Sequence, residues 1–89
     1  MALTEETLND KIEAVAQGDG TWSCVQVRTA TIIRRDGTEI NRTFHRHVVM
    51  PDADLSGEDA DVVAVCNAVF TDAVKAAYAT HLASLAEAD

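Results

Sequence analysis

The apolar positions of this 89-residue chain change their spacing twice. Leu8, Ile12, Val15 and Ala16 recur at helical intervals, and Thr4 followed by Glu5 and Glu6 has the form of an N-cap with acids in the first turn, where they face the positive end of the helix dipole. This pattern predicts a short amphipathic helix, stopped near Gln17 by Gly18-Asp19-Gly20. From Thr21 to Met50 the residues become β-branched and alternating around Asp36-Gly37, a two-residue hairpin signal. With those two residues as the loop, Arg35 faces Thr38, and Ile33, Thr29 and Val25 oppose Ile40, Phe44 and Val48 on one face. Val27 joins them, so this face is the expected core side, although Arg42 and Arg46 intrude on it. The other face then carries Gln26, Arg28, Arg34, Thr43, His45 and His47.

Met50 to Leu55 reads as a loop in which Pro51 ends the strand by removing a donor. Ser56, followed by acids through Asp61, resembles the N-cap of a helix with the apolar stripe Val62, Val65, Cys66 and Val69. Thr71-Asp72 looks like a second N-cap ahead of Val74, Ala77, Tyr78, His81, Leu82 and Leu85, which predicts a break near Thr71; one continuous helix is the alternative. Trp22 and Phe70 are expected as core anchors, and Ala86 to Asp89 as a fraying end. The fold expected is a single small α+β domain over residues 1–89. It comprises a short N-terminal helix, a long antiparallel hairpin and a C-terminal helical segment, in one or two pieces, packed on the face of Val25, Val27, Ile33, Ile40, Phe44 and Val48.

At 47% hydrophobic and 25% charged residues the chain has enough apolar material to fold, which excludes a disordered polypeptide. The acidic N-terminus lacks the basic start of a signal peptide, and no apolar run approaches the roughly 20 residues of a membrane helix, so synthesis in the cytosol without a membrane anchor is expected. Cys24 and Cys66 are then expected as reduced, buried thiols.

Charge changes the picture more. Arg28, Arg34, Arg35, Arg42 and Arg46 gather on the hairpin against only Asp36 and Glu39, while the rest of the chain sets Lys11 and Lys75 against thirteen carboxylates, for a total of −8. Opposite surfaces on identical molecules attract, so the arginines and Phe44 are read as one contact surface, with Asp52, Asp54, Glu58, Asp59 and Asp61 as its complement. Arginine suits such a role because its planar fork pairs bidentately with carboxylates. A homo-oligomer is the partner expected. The alternative is a small regulatory module that docks an acidic partner or nucleic acid through the same arginines. The overall negative charge and the scarcity of aromatic residues for base stacking weigh against nucleic acid.

His45 and His47, two apart on a strand, point the same way and with Cys24 or His81 form the only constellation with metal-ligand chemistry, yet it falls short of a full tetrahedral set, and no cofactor is expected. Nucleophile elbows and phosphate-binding glycine loops are absent, so an enzyme is the least supported class.

The run Phe44-His45-Arg46-His47-Val48-Val49-Met50-Pro51, then Leu55-Ser56-Gly57-Glu58, then Val65-Cys66-Asn67-Ala68-Val69-Phe70-Thr71 and Ala76-Ala77-Tyr78, resembles small proteins encoded by tailed bacteriophages. In those proteins a hairpin with an Asp-Gly turn leads through a His-Arg-His stretch and a proline-containing acidic loop to a helix broken at Thr-Pro. The likeness spans residues 25–80, with Asp72 standing where the relatives often have proline. It implies a virion or virion-assembly protein, made in the host cytoplasm and built from many copies, whose partners are itself or other virion proteins.

Overall fold

The computed structural model describes residues 2–86. Three strands, β1 (Leu3–Gln17), β2 (Trp22–Arg35) and β3 (Thr38–Val49), are followed by two helices, α1 (Ala60–Val69) and α2 (Asp72–Ala86). The strands form one antiparallel meander in the order β1-β2-β3. The architecture is α+β in outline, but the N-terminal helix does not exist: the whole of Leu3–Gln17 pairs with β2.

The reason lies in β2. Cys24, Ala30 and Ile32 are buried on one of its faces and Val25 and Val27 on the other, so it is a central strand that needs a neighbour along each edge. A two-stranded hairpin supplies one neighbour only and is marginal by itself; β1 supplies the second. Gly18 (φ 59°) and Gly20 (φ 88°) therefore serve the β1–β2 turn and not a helix C-cap. A bulge between Asn9 and Lys11 lets Leu8 and Ile12 keep helix-like spacing inside a strand while pointing to opposite faces.

The Asp36-Gly37 turn is present, with both residues at positive φ (50° and 86°), as a type I′ hairpin requires, and Arg35 pairs with Thr38. Two residues on, a second bulge leaves Ile40 unpaired, because Arg34 faces Glu39 and Ile33 faces Asn41. A one-residue slip turns every later side chain over. Phe44 thus opposes Ala30 and Val48 opposes Gln26, in place of the expected Thr29 and Val25. Val49, not Val48, reaches the core beside Val25 and Val27, and Ile40, Phe44 and Val48 are left exposed. Removing the unpaired residue would make the hairpin regular without altering which way residues 41–49 face. Deleting Ile40 is therefore expected to move the thermal midpoint by no more than about 6 °C, about 1 kcal/mol for a domain of this size. Loss of the cooperative transition would overturn the bulged register.

The helices cover one sheet face at one end. Val62, Cys66 and Phe70 pack on Val25, Val27 and Val49, with Ile12, Leu55, Val65, Val69 and Val74 around them. Helix α1 starts later than expected, at Asp59 as N-cap, while Ser56 sits in the preceding turn with its backbone N–H donating to Asp54 Oδ1 at 2.9 Å. The chain bends by 82° between the helices, and Val74 N–H donates to Thr71 Oγ1 at 3.2 Å, the second cap that the sequence indicates. Tyr78 and His81 of α2 then pack on Trp22, with ring centroids at 4.8 and 5.3 Å. Trp22 and Phe70 are buried, as are the free thiols of Cys24 and Cys66; burial pushes the Cys66 thiol up from its ordinary value. The fraying expected of Glu87, Ala88 and Asp89 lies outside the described residues, and Ala86 closes α2.

The strands extend well past the helices. The molecule measures 60 × 26 × 20 Å, with a radius of gyration of 17.2 Å, where a compact chain of this length has about 12 Å.

Candidate interaction surface

The slip at Ile40 has one large consequence for chemistry. Arg28 and Arg34 of β2 and Arg42 and Arg46 of β3, expected on opposite faces, all share the face turned away from the Val25, Val27 and Val49 core. They stand there with Phe44, Val48, Leu8 and Gln26, above the buried Cys24, Ala30 and Ile32.

Most of this positive charge is answered within the sheet. The Arg28 guanidinium forks onto Asp10, both bonds at 2.9 Å, and Arg42 approaches the same carboxylate at 3.9 Å. Arg42 also forks onto Glu39 at 3.1 and 2.8 Å, and Arg34 meets Glu6 at 2.7 Å. Hydrogen bonding from Arg28, against some desolvation, holds the Asp10 carboxyl below its ordinary value; the bond from Arg42 does the same for Glu39. The paired carboxylates raise Arg28 and Arg42 in turn. Arg46 is different: among the described residues no carboxylate lies within ion-pair distance of it, nor of Arg35 at the hairpin tip on the helix-side face. Phe44 lies under two guanidinium groups, 4.5 Å from Arg28 and 5.8 Å from Arg46, and is still 44% exposed. Beside them Lys11, Glu13, Gln26, Arg28, Arg46 and Val48 line a concavity of about 260 Å³.

Of the acidic residues singled out in the sequence, Glu58, Asp59 and Asp61 lie on the other side of the sheet. Asp59 and Asp61 accept from Asn9 Nδ2 at 2.9 and 3.0 Å, and Glu58 meets His47 Nε2 at 2.9 Å. Asp54 accepts from the Ser56 backbone N–H, which lowers its carboxyl, and Asp52 is exposed in the same loop. The arginine face and the acidic segment are therefore back to back, and no ion pair joins them within one molecule among the described residues. Asp10, Glu6 and Glu39 are the carboxylates that pair these arginines. With β1 paired as a strand, Glu6 sits diagonally from Arg34 and the bulged Asp10 beside Arg28, while Glu39 of β3 stands directly across from Arg34.

His45 and His47 share the helix-side face with ring centroids 6.4 Å apart, whereas Cys24 points to the opposite face and His81 lies against Trp22. Neither Cys24 nor His81 thus joins the His45–His47 pair, and no group of three potential ligands is placed to hold a metal among the described residues. No single described helix is long and apolar enough to cross a membrane.

Geometrically this is a small α+β protein whose sheet is sheltered on one face at one end and open elsewhere. Comparison of the chain with protein-family models, with curated proteins and with solved structures finds no match.

Proposed function

We propose that the protein is a non-enzymatic structural or assembly component that works as a homo-oligomer, and that it is a bacteriophage virion protein. One observation carries the assembly reading: strands of 12 to 15 residues run past the helices that cover them, leaving Leu3, Leu8, Ile40, Phe44 and Val48 exposed on a sheet with two open edges among the described residues. An 89-residue chain has little core to spare, and apolar surface displayed on a long sheet is surface another chain can bury. The phage attribution rests on the likeness over residues 25–80 and on the many-copy construction of virions. The internal pairing of Arg28, Arg34 and Arg42 favours this reading over docking of nucleic acid or an acidic partner, because those guanidinium groups would first have to leave carboxylates.

Light scattering on the purified full chain tests the assembly reading. The expected result is a discrete multiple of the 9.6 kDa monomer mass at low salt, shifting toward smaller species as screening weakens the charged contacts. A monomer at every concentration and salt would sink it.

A further inference from the structure

Two edges of the sheet end in opposite charge. β1, the outer strand on one side, carries Glu5, Glu6, Asp10 and Glu13 against Lys11 alone. β3, the outer strand on the other side, carries Arg42 and Arg46 against Glu39, with His45 and His47 beside them. Apart from the turn at Gln17, no backbone hydrogen bond from outside the sheet reaches either strand among the described residues. Rows of unpaired N–H and C=O groups are templates for another strand.

We propose that copies of the chain join edge to edge, the β1 edge of one pairing with the β3 edge of the next, head to tail. This rests on the assembly reading and names its contact. Charge selects the pairing. A symmetric β1–β1 contact sets the four carboxylates of one copy against those of another, and a β3–β3 contact sets arginine against arginine; like charges across strands repel. Only the β1–β3 contact brings acid to base. It repeats outward the logic already used inside the molecule, where acids of β1 meet arginines of β2 at Asp10–Arg28 and Glu6–Arg34.

The available charges fit. Arg46, on the arginine-bearing face, has no carboxylate partner within its own chain among the described residues, and Glu5, on the helix-side face, has no cationic one, so across the contact Arg46 is left to face Glu6, Asp10 or Glu13 and Glu5 to face His45 or His47. Both β1 and β3 run antiparallel to β2 and so parallel to each other. When copies are arranged about an axis along the strands, the next copy's β3 runs parallel to β1, with the arginine-bearing faces on one side of a continuous sheet. A contact that uses two different patches is heterologous, so it closes a ring or extends a filament, whereas a twofold dimer would stop after one contact. The bulges at Asp10 and Ile40 confine regular pairing to Leu3–Asn9 or Lys11–Gln17 of one copy and Asn41–Val49 of the next, which restricts register.

Two charge-reversed variants of the full chain test the contact, each checked for native strand content by circular dichroism. The first, Glu5→Lys with Glu13→Lys, makes both edges basic; the second, His45→Glu with Arg46→Glu, makes both acidic. If either fails to fold, the neutral changes Glu5→Gln with Glu13→Gln, or Arg46→Gln, take its place and are read as weakened assembly of the single variant. The wild type is expected to scatter as an oligomer, each reversed variant alone as a 9.6 kDa monomer, and their equimolar mixture as the restored oligomer, since basic and acidic edges then alternate. Wild-type oligomers with variants that still assemble alone, or with a reversed pair that stays monomeric on mixing, would overturn the edge contact and leave assembly standing. A wild type that is monomeric throughout would overturn both.

Discussion

Replacing Phe70 by alanine is expected to lower the urea midpoint of unfolding by about 2–3 M. Phe70 closes α1, donates its backbone N–H to Cys66 O at 2.7 Å, and is 6% exposed in the cluster with Val25, Val27, Val49, Val62 and Cys66. Truncating a buried phenylalanine costs about 3–5 kcal/mol, and the slope for a small protein is about 1.5 kcal/mol per molar urea. A domain of this length has on the order of 4–13 kcal/mol in all, so the loss removes a large share. The fluorescence of Trp22, the single tryptophan, reports it directly, because Trp22 is packed on Tyr78 and His81 of α2 beyond the bend that Phe70 stabilises. A drop below about 0.5 M would mean that the helices hold to the sheet through other contacts. Phe70→Leu, which keeps most of the volume, is expected to lose much less.

This corner, and the β2–β3 turn at the far end of the sheet, were legible in the sequence because each of their signals is local. Thr71 caps by its own side chain, Asp36-Gly37 needs only two adjacent residues able to take positive φ, and a helical stripe such as Val62, Val65, Cys66 and Val69 is read within three turns. What was not legible came from two bulges. An extra residue in an edge strand need carry no residue signature: Asp10 and Ile40 look like any other polar and β-branched positions. The first disguised β1 as a helix by spoiling its two-residue alternation. The second reversed β3, so that the expected core residues Phe44 and Val48 face solvent and Val49 takes their place. One signal did point to β1. Nine of the twelve residues from Trp22 to Ile33 are apolar or β-branched, spread over both alternating sets of positions, the mark of a strand in the middle of a sheet, and the segment left to supply the second neighbour was the N-terminal one.

The candidate surface was half legible for the same reason. The arginines are visible in the sequence as a cluster, but their neighbours depend on register. With Arg42 and Arg46 turned onto the face of Arg28 and Arg34, the cluster becomes denser and also finds Asp10, Glu6 and Glu39, so the surface offered to a partner is patterned with both signs rather than uniformly basic. Uniform charge attracts any polyanion, whereas a pattern of both signs favours a partner with the matching pattern, and a second copy of the same sheet has one.

Asp10 is the hinge of that pattern, and its neutralisation is expected to make stability less dependent on acid. Its carboxylate is the one group that meets both Arg28 and Arg42, with its side chain only 12% exposed. The Arg28 hydrogen bond holds its folded pKa below the unfolded value. A depressed carboxyl stabilises the folded state in full above the unfolded pKa of about 3.9, and that contribution disappears as pH falls through the lower folded value, where both states are protonated. Asp10→Asn is therefore expected to unfold at lower urea than the wild type at pH 7, with Arg28 and Arg42 left facing each other without their shared counter-charge. The gap should narrow as the pH falls from 4 toward the lower folded pKa, because the wild type then loses the same charge. Asp19 and Asp54, whose carboxyls are also held low, titrate in both proteins away from this cluster and cancel from the difference, whereas Glu39 shares Arg42 with Asp10 and belongs to the same coupled unit. Urea midpoints measured side by side from pH 7 down to about 3 separate the possibilities. Convergence assigns the acid sensitivity to the Asp10 carboxylate, and a gap that stays constant would show that its contribution is one of shape and hydrogen bonding rather than charge.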